Sequence, residues 1–243
     1  MVISKRFSTV CTEMFLIVLS IHLMVSGYAQ LKPNRFGVIV INNLKDYRRS
    51  VFDNSSKKMI NITNRYPSII LDLRYATANN FMHKILYPPV AKAYLRKAAA
   101  DALGKVQSTL NAGGLGLKIF DAYRPYAVTV QMWEPIKNED YVANPAKGSG
   151  HNRGIAVDLT LIDLKTSEEI NMGTGFDNFS DSAHHTFTQL PDSILEKRKL
   201  LRHVMEANGF KAFETEWWHY SLPEPENFDL LDLSFKALRT LDD

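Results

Sequence analysis

Residues Ile155 to Ile162 form an apolar run interrupted by a single carboxylate, Asp158. A run of this kind reads as a buried strand. A charge inside it needs a partner, because an unpaired ionised group held away from water is costly. The strand is entered through Ser149-Gly150-His151-Asn152-Arg153-Gly154, a loop punctuated by glycine. Two arrangements satisfy the carboxylate. In one, His151 caps the turn and Asp158 pairs with Arg153 or another base, and on these residues alone that is the simpler reading. In the other, a metal ion is the partner: His151 supplies a neutral imidazole from the loop, Asp158 an oxygen from the strand, and Gly154 the bend that brings them together.

A second cluster shifts the balance toward the metal. In Glu214-Thr215-Glu216-Trp217-Trp218-His219-Tyr220, His219 completes a His/Asp/His ligand set and leaves the fourth tetrahedral position to water, as a catalytic zinc requires. Glu216 lies three residues earlier, and in a regular strand the two side chains would face opposite sides. A turn or bulge near Glu216 is therefore expected, aiming its carboxylate at that water. Trp217 and Trp218 read as core packing. A third element, Phe120-Asp121-Ala122-Tyr123-Arg124-Pro125, sets Arg124 between a strand and a proline-started helix. There its planar fork of donors can meet a developing oxyanion; a plain surface arginine is the alternative.

The only cysteine, Cys11, falls within residues 1–29, which read as a secretory leader: Lys5 and Arg6, the apolar run Met14 to Val25, then Gly27-Tyr28-Ala29. Cleavage after Ala29 is expected, leaving residues 30–243 as one exported domain, periplasmic or secreted, with no stable membrane insertion. The apolar run is about a dozen residues against the roughly 20 that span a bilayer; an uncleaved anchor is the other reading. Without a thiol the mature chain has no disulfide, no thiolate ligand and no cysteine nucleophile, so His, Asp or Glu must hold any catalytic metal. Removing two bases and one acid with the leader takes the net charge from +3 to +2. The remaining bases are scattered among acids, which gives no footprint for nucleic acid.

Along the chain, residues 30–64 show no clear period. Ile69, Leu71 and Leu73 alternate with Ile70, Asp72 and Arg74, which suits a strand from Ser68 to about Tyr75. Residues 91–111 carry apolar side chains at helical spacing and stop at Gly113-Gly114. Leu117 to Phe120 reads as a strand, Pro125 to Trp133 as a short helix, Ser193 to Asn208 as a helix closed by Gly209, and Tyr220 to Leu222 as a last extended piece. Strands and helices mix without regular alternation. The fold class is α+β, a single domain with a largely antiparallel central sheet flanked by helices.

Taken together, Ser-Gly-His-Asn-Arg-Gly-Ile-Ala-Val-Asp, Glu-Trp-Trp-His and Asp-Ala-Tyr-Arg-Pro resemble the D-alanyl-D-alanine dipeptidases. These are zinc enzymes of a superfamily that also holds D,D-carboxypeptidases and murein endopeptidases. The likeness runs from about Leu71 to Leu222 and includes Asp72 to Thr77 with Asn79-Asn80-Phe81, and Met172 to Asp177. The resemblance implies one zinc ion per chain on His151, Asp158 and His219, with Glu216 as general base and Arg124 stabilising the tetrahedral intermediate. It further implies a small D,D-dipeptide substrate whose ammonium is held by Tyr75 and Asp177 and whose carboxylate lies near Ser149. A free amine one residue from the scissile bond needs an anionic acceptor; an aspartate in a glycine turn is the plainer reading of Asp177.

The vancomycin-resistance members act in the cytoplasm, whereas a leader here points to scavenging or turnover of wall-derived dipeptides outside it. A zinc D,D-carboxypeptidase or endopeptidase on larger wall peptides would use the same centre. A non-catalytic binding module is the remaining alternative, though it has no need of Glu216. His184 and His185 are expected near the site or in loops without binding metal, His83 and His203 at the surface or in packing, and His22 in the leader.

Overall fold

The computed structural model describes residues 32–242; the expected leader and its cleavage point lie outside the described residues. In chain order the strands are β1 (Val40–Ile41), β2 (Met59–Asn61), β3 (Ile70–Leu71), β4 (Tyr94–Arg96), β5 (Leu115–Asp121), β6 (Ala156–Asp163), β7 (Lys211–Phe213), β8 (Glu216–Ser221) and β9 (Leu230–Leu231). The α-helices are α1 (Leu44–Asp53), α2 (Ile62–Arg65), α3 (Lys97–Asn111), α4 (Tyr126–Ile136), α5 (Gly150–Arg153), α6 (Asp192–Ala207) and α7 (Phe235–Arg239).

The central sheet has the order β3-β5-β6-β8-β7. Only the β3–β5 pair is parallel; β5–β6, β6–β8 and β7–β8 are antiparallel. This is the largely antiparallel sheet expected. Strand β6 runs through its middle, and its alternation sorts the faces. Val157, Leu159 and Leu161 join one buried cluster with Leu103, Val106 and Leu110 of α3 and Leu201, Val204 and Met205 of α6. The intervening positions, Asp158 and Thr160, point away from those helices, and each is almost fully buried.

Two expected elements differ. Within the segment read as the start of a helix at 91, Tyr94–Arg96 is strand β4, paired antiparallel with Met59 to Asn61. The Arg96 guanidinium, fully buried, donates to the carbonyls of Arg153, Lys57 and Asp229. These long-range bonds override the helical spacing that Leu95 shares with Ala98 and Ala99, and the helix begins at Lys97. The strand read from Ser68 to Tyr75 is only two residues long, and Arg74–Ala76 forms a 3-10 turn. The Tyr75 carbonyl is then pinned by the backbone N–H groups of Leu86 and Tyr87, which swings its side chain out of the sheet.

Candidate metal centre and cleft

The loop between α4 and β6 closes into the short helix α5, capped by Ser149. The Ser149 hydroxyl accepts from the Asn152 backbone N–H at 3.1 Å while the Asn152 side chain accepts from the Ser149 N–H at 3.1 Å. Gly154 ends the helix at φ 71°, a conformation that favours glycine, and delivers the chain directly into β6. A Cβ at Gly150 would lie 2.8 Å from both the Ala156 Cβ and the Ser221 Oγ, so only glycine lets α5 sit this close to the sheet. The local fold thus sets His151 beside Asp158.

Strand β8 brings the third group. His219 is the register partner of Asp158, and the ladder slips where β8 meets β7: Ala212 faces Tyr220, but Phe213 faces Glu216. This is the irregularity expected near Glu216. It turns the Glu216 carboxylate to the same side as His219, with Oε2 3.8 Å from Nδ1.

Four atoms converge. His151 Nε2 lies 3.2 Å from His219 Nδ1 and 3.3 Å from Asp158 Oδ2, and His219 Nδ1 lies 2.8 Å from Asp158 Oδ1. A tetrahedral zinc with bonds of about 2.0–2.2 Å has ligand atoms about 3.3 Å apart, so this donor set fits the ion. The other imidazole nitrogen of His151 donates to the Ala122 carbonyl at 2.7 Å, which leaves Nε2 bare toward the centre. Arg153, the alternative partner for Asp158, instead donates to the carbonyls of Phe228 and Lys147. Burial alone would raise the Asp158 carboxyl, but the two imidazoles beside it hold it below its ordinary value. Burial works to lower the His219 imidazole, and the Asp158 charge overrides it and raises it. Burial raises Glu216 above the ordinary carboxylate value, with His219 opposing, which makes it a better proton acceptor.

The centre opens onto a cleft of about 200 Å³ whose wall includes Tyr75, Arg124, Ser149, Asp177, Glu216 and Trp218. Arg124 is buried, not a surface arginine: its Nε and Nη2 both donate to Asp121 Oδ2, at 3.0 and 2.8 Å, and its guanidinium carbon sits 4.9 Å from the centre of the Tyr75 ring. The Tyr75 hydroxyl lies 3.3 Å from both carboxylate oxygens of Asp177. Asp177 has φ 57°, a left-handed conformation that aspartate tolerates better than most residues. Burial first, and the Asp158 charge next, hold its carboxyl well above the ordinary range. All eight residues singled out in the sequence therefore border one space.

Asp121 is the functional group that sequence reasoning passed over. Fully buried, it anchors Arg124, accepts from the Tyr87 hydroxyl at 2.7 Å and lies 3.7 Å from His151 Nδ1. Its signal was present, a carboxylate three residues before the arginine in the same motif. Asn152, also fully buried, ties the loop together by donating to the Arg124 carbonyl and the Thr129 hydroxyl. Trp217 is core, donating from Nε1 to Thr174 Oγ1 at 2.8 Å, whereas Trp218 also forms part of the cleft wall. His185 lies apart from the donor set against Tyr220, with burial pushing it down to about 4, and His184 borders a recess beside Glu216. His203 is exposed on α6 and His83 occupies a turn.

A family model described as D-ala-D-ala dipeptidase matches residues 55–236. The D-alanyl-D-alanine dipeptidase of Escherichia coli is 34% identical over 180 residues, 74% of this chain and 92% of that protein. The enzyme of the same name from Enterococcus faecalis is 34% identical over 179 residues, 65% of this chain and 89% of that protein. A solved LdcB LD-carboxypeptidase aligns at 21% identity over 60% of this chain and 69% of its own, with a TM-score of 0.34, and adds nothing to the assignment. The match over three quarters of the chain, and over nearly the full length of the E. coli relative, places this protein in the D-alanyl-D-alanine dipeptidase family.

Proposed function

We propose that the chain is an exported zinc peptidase that hydrolyses D-alanyl-D-alanine to two D-alanines, with one zinc ion held by His151, Asp158 and His219. The observation that carries this reading is the convergence of those three donors, all within 4.8 Å of one another, with the Glu216 carboxylate 3.8 Å from His219 Nδ1. A bound zinc ion supplies Lewis acidity, polarising the scissile carbonyl and acidifying a water.

The chain's own groups do the rest. Glu216 takes a proton from the attacking water and passes it to the leaving amine. Arg124, its guanidinium fixed by Asp121, donates to the oxyanion as the carbonyl becomes tetrahedral. Asp177 and Tyr75 hold the substrate ammonium. A cation beside Asp177 offsets the burial and the Asp158 charge that disfavour its ionised form, so the acceptor becomes fully charged when the amine arrives. The Ser149 hydroxyl accepts from Asn152 and keeps its own proton free to donate to the substrate carboxylate. Together these contacts fix both ends of a short substrate.

Residues 1–29 act as the export signal and residues 30–243 as the mature domain. Among the described residues no helix is long and apolar enough to cross a membrane. The test of substrate class is turnover of the free dipeptide against its N-acetylated form. Cleavage of the free dipeptide alone is expected. Equal cleavage of the blocked substrate would make the protein a carboxypeptidase.

A further inference from the structure

Arg198 lies on α6 with its side chain buried, and no carboxylate among the described residues pairs with it. A buried cation is costly unless its donors are satisfied. Here they are satisfied by the chain between β6 and α6. Nε donates to the Met172 carbonyl at 2.7 Å, and Nη1 to the Ser182 and His184 carbonyls at 2.9 and 3.3 Å. Nη2 reaches Thr174 Oγ1 at 3.5 Å, an oxygen that also accepts from Trp217 Nε1 at 2.8 Å. One planar fork therefore joins the two ends of the segment 172–184. A lysine would supply the charge without the fork.

Asp177 lies between those ends. From Met172 to Ser180 the chain has neither helix nor strand. Phe176 seats against Phe120 and Trp218, with ring centres 5.1 and 5.6 Å away, and fixes the depth of the turn. The next residue, Asp177, is left-handed at φ 57°. Outside glycine, that conformation persists only where the surrounding structure holds it. The Asp177 carboxylate is approached by the Tyr75 hydroxyl at 3.3 Å and by the Phe81 backbone N–H. Those contacts come from a separate segment and set the direction of the side chain. The path of the backbone that carries it is set at both ends by Arg198.

We propose that Arg198 is a positioning residue for the cleft: it clamps both ends of the segment 172–184 and thereby sets Asp177 where the substrate ammonium binds. The consequence for substrate rests on the dipeptidase reading; the clamp does not.

The test compares the parent, Arg198→Lys, Asp177→Asn and the double variant, in hydrolysis of D-alanyl-D-alanine and, after ¹⁵N labelling, in backbone amide spectra. Arg198→Lys should raise KM about tenfold, the scale of one weakened charge-assisted hydrogen bond, with kcat and zinc content nearly unchanged. The double variant should show the KM of Asp177→Asn alone, because Arg198 acts through that carboxylate. The amides of Gly175 to Phe179 should shift and gain fast motion in Arg198→Lys, while those of Ser149 and Gly150 stay in place. If Arg198→Lys does not fold, Thr174→Val takes its place in the cycle. Loss of the hydroxyl shared by Arg198 and Trp217 should raise KM about threefold, the scale of a neutral hydrogen bond, and Thr174→Ser should retain the parent value. A role confined to stability would lower the melting temperature of Arg198→Lys and leave KM and these amides at parent values. That result, or KM rises that multiply in the double variant, would overturn the proposal. A parent that cleaved no dipeptide would sink the dipeptidase reading, and the amides would still decide the clamp.

Discussion

His151 donates from Nδ1 to the carbonyl oxygen of Ala122 across 2.7 Å. A carbonyl can only accept, so the proton is fixed on Nδ1, and Nε2 faces Asp158 and His219 as a free donor pair. Ala122 immediately follows the end of β5. The sheet thereby orients an imidazole for metal through a backbone contact, without a dedicated side chain.

Replacing the base should separate binding from chemistry. Glu216→Gln keeps the shape and the three donors, so zinc content and melting temperature should stay at wild-type values while turnover falls about 10²- to 10⁴-fold. Zinc analysis beside steady-state kinetics reads both. Full activity in this variant would remove Glu216 from the mechanism.

Metal binding should release a proton. Although burial works to lower it, the Asp158 charge raises His219 above the ordinary imidazole value. The metal-free protein therefore holds a proton on His219 to higher pH than a free imidazole does, and zinc must displace it. Affinity should fall as pH drops through that raised value, and calorimetry in buffers of different ionisation heat should detect the released proton. A flat affinity from about pH 5 to 8 with no proton release would contradict the ligand assignment of His219.

Asp121→Ala would strand the buried guanidinium of Arg124. Breaking a buried ion pair from one side costs about 3–5 kcal/mol, which for a chain of this size lowers the melting temperature by about 6–20 °C. Tyr87→Phe removes one hydrogen bond to the same charged carboxylate and should cost about 1.5–3 kcal/mol. If thermal unfolding found the two variants equally stable, Asp121 would not be the anchor described here.

Asp177→Asn removes the negative charge and keeps the side-chain shape. KM for the free dipeptide should rise about 10- to 150-fold, the range for one hydrogen bond to a charged group. An unchanged KM would mean that Asp177 serves only its glycine turn.

The candidate metal centre was legible because its residues lie in two short runs whose chemistry conflicts with their surroundings. Asp158 is a charge in an apolar strand, and Glu216 and His219 cannot share a face unless the strand is broken, which the β7–β8 register slip does. Asp121 was hidden by the opposite circumstance. At the end of β5 it looked like an ordinary polar terminus, and its full burial follows from Tyr87 and Arg124 folding over it. Strand β4 was missed because Leu95 fits a helical repeat, while its pairing partner Met59–Asn61 lies in a stretch without a period of its own. Tyr75 was singled out but placed in a strand. The 3-10 turn that aims it at Asp177 depends on backbone bonds from Leu86 and Tyr87, a contact no local pattern announces.

The most direct test of the account is hydrolysis of D-alanyl-D-alanine by the purified chain of residues 30–243, before chelation, after it, and after zinc is returned. The account predicts cleavage that chelation abolishes and zinc restores. Cleavage that continues undiminished in the metal-free protein would contradict it.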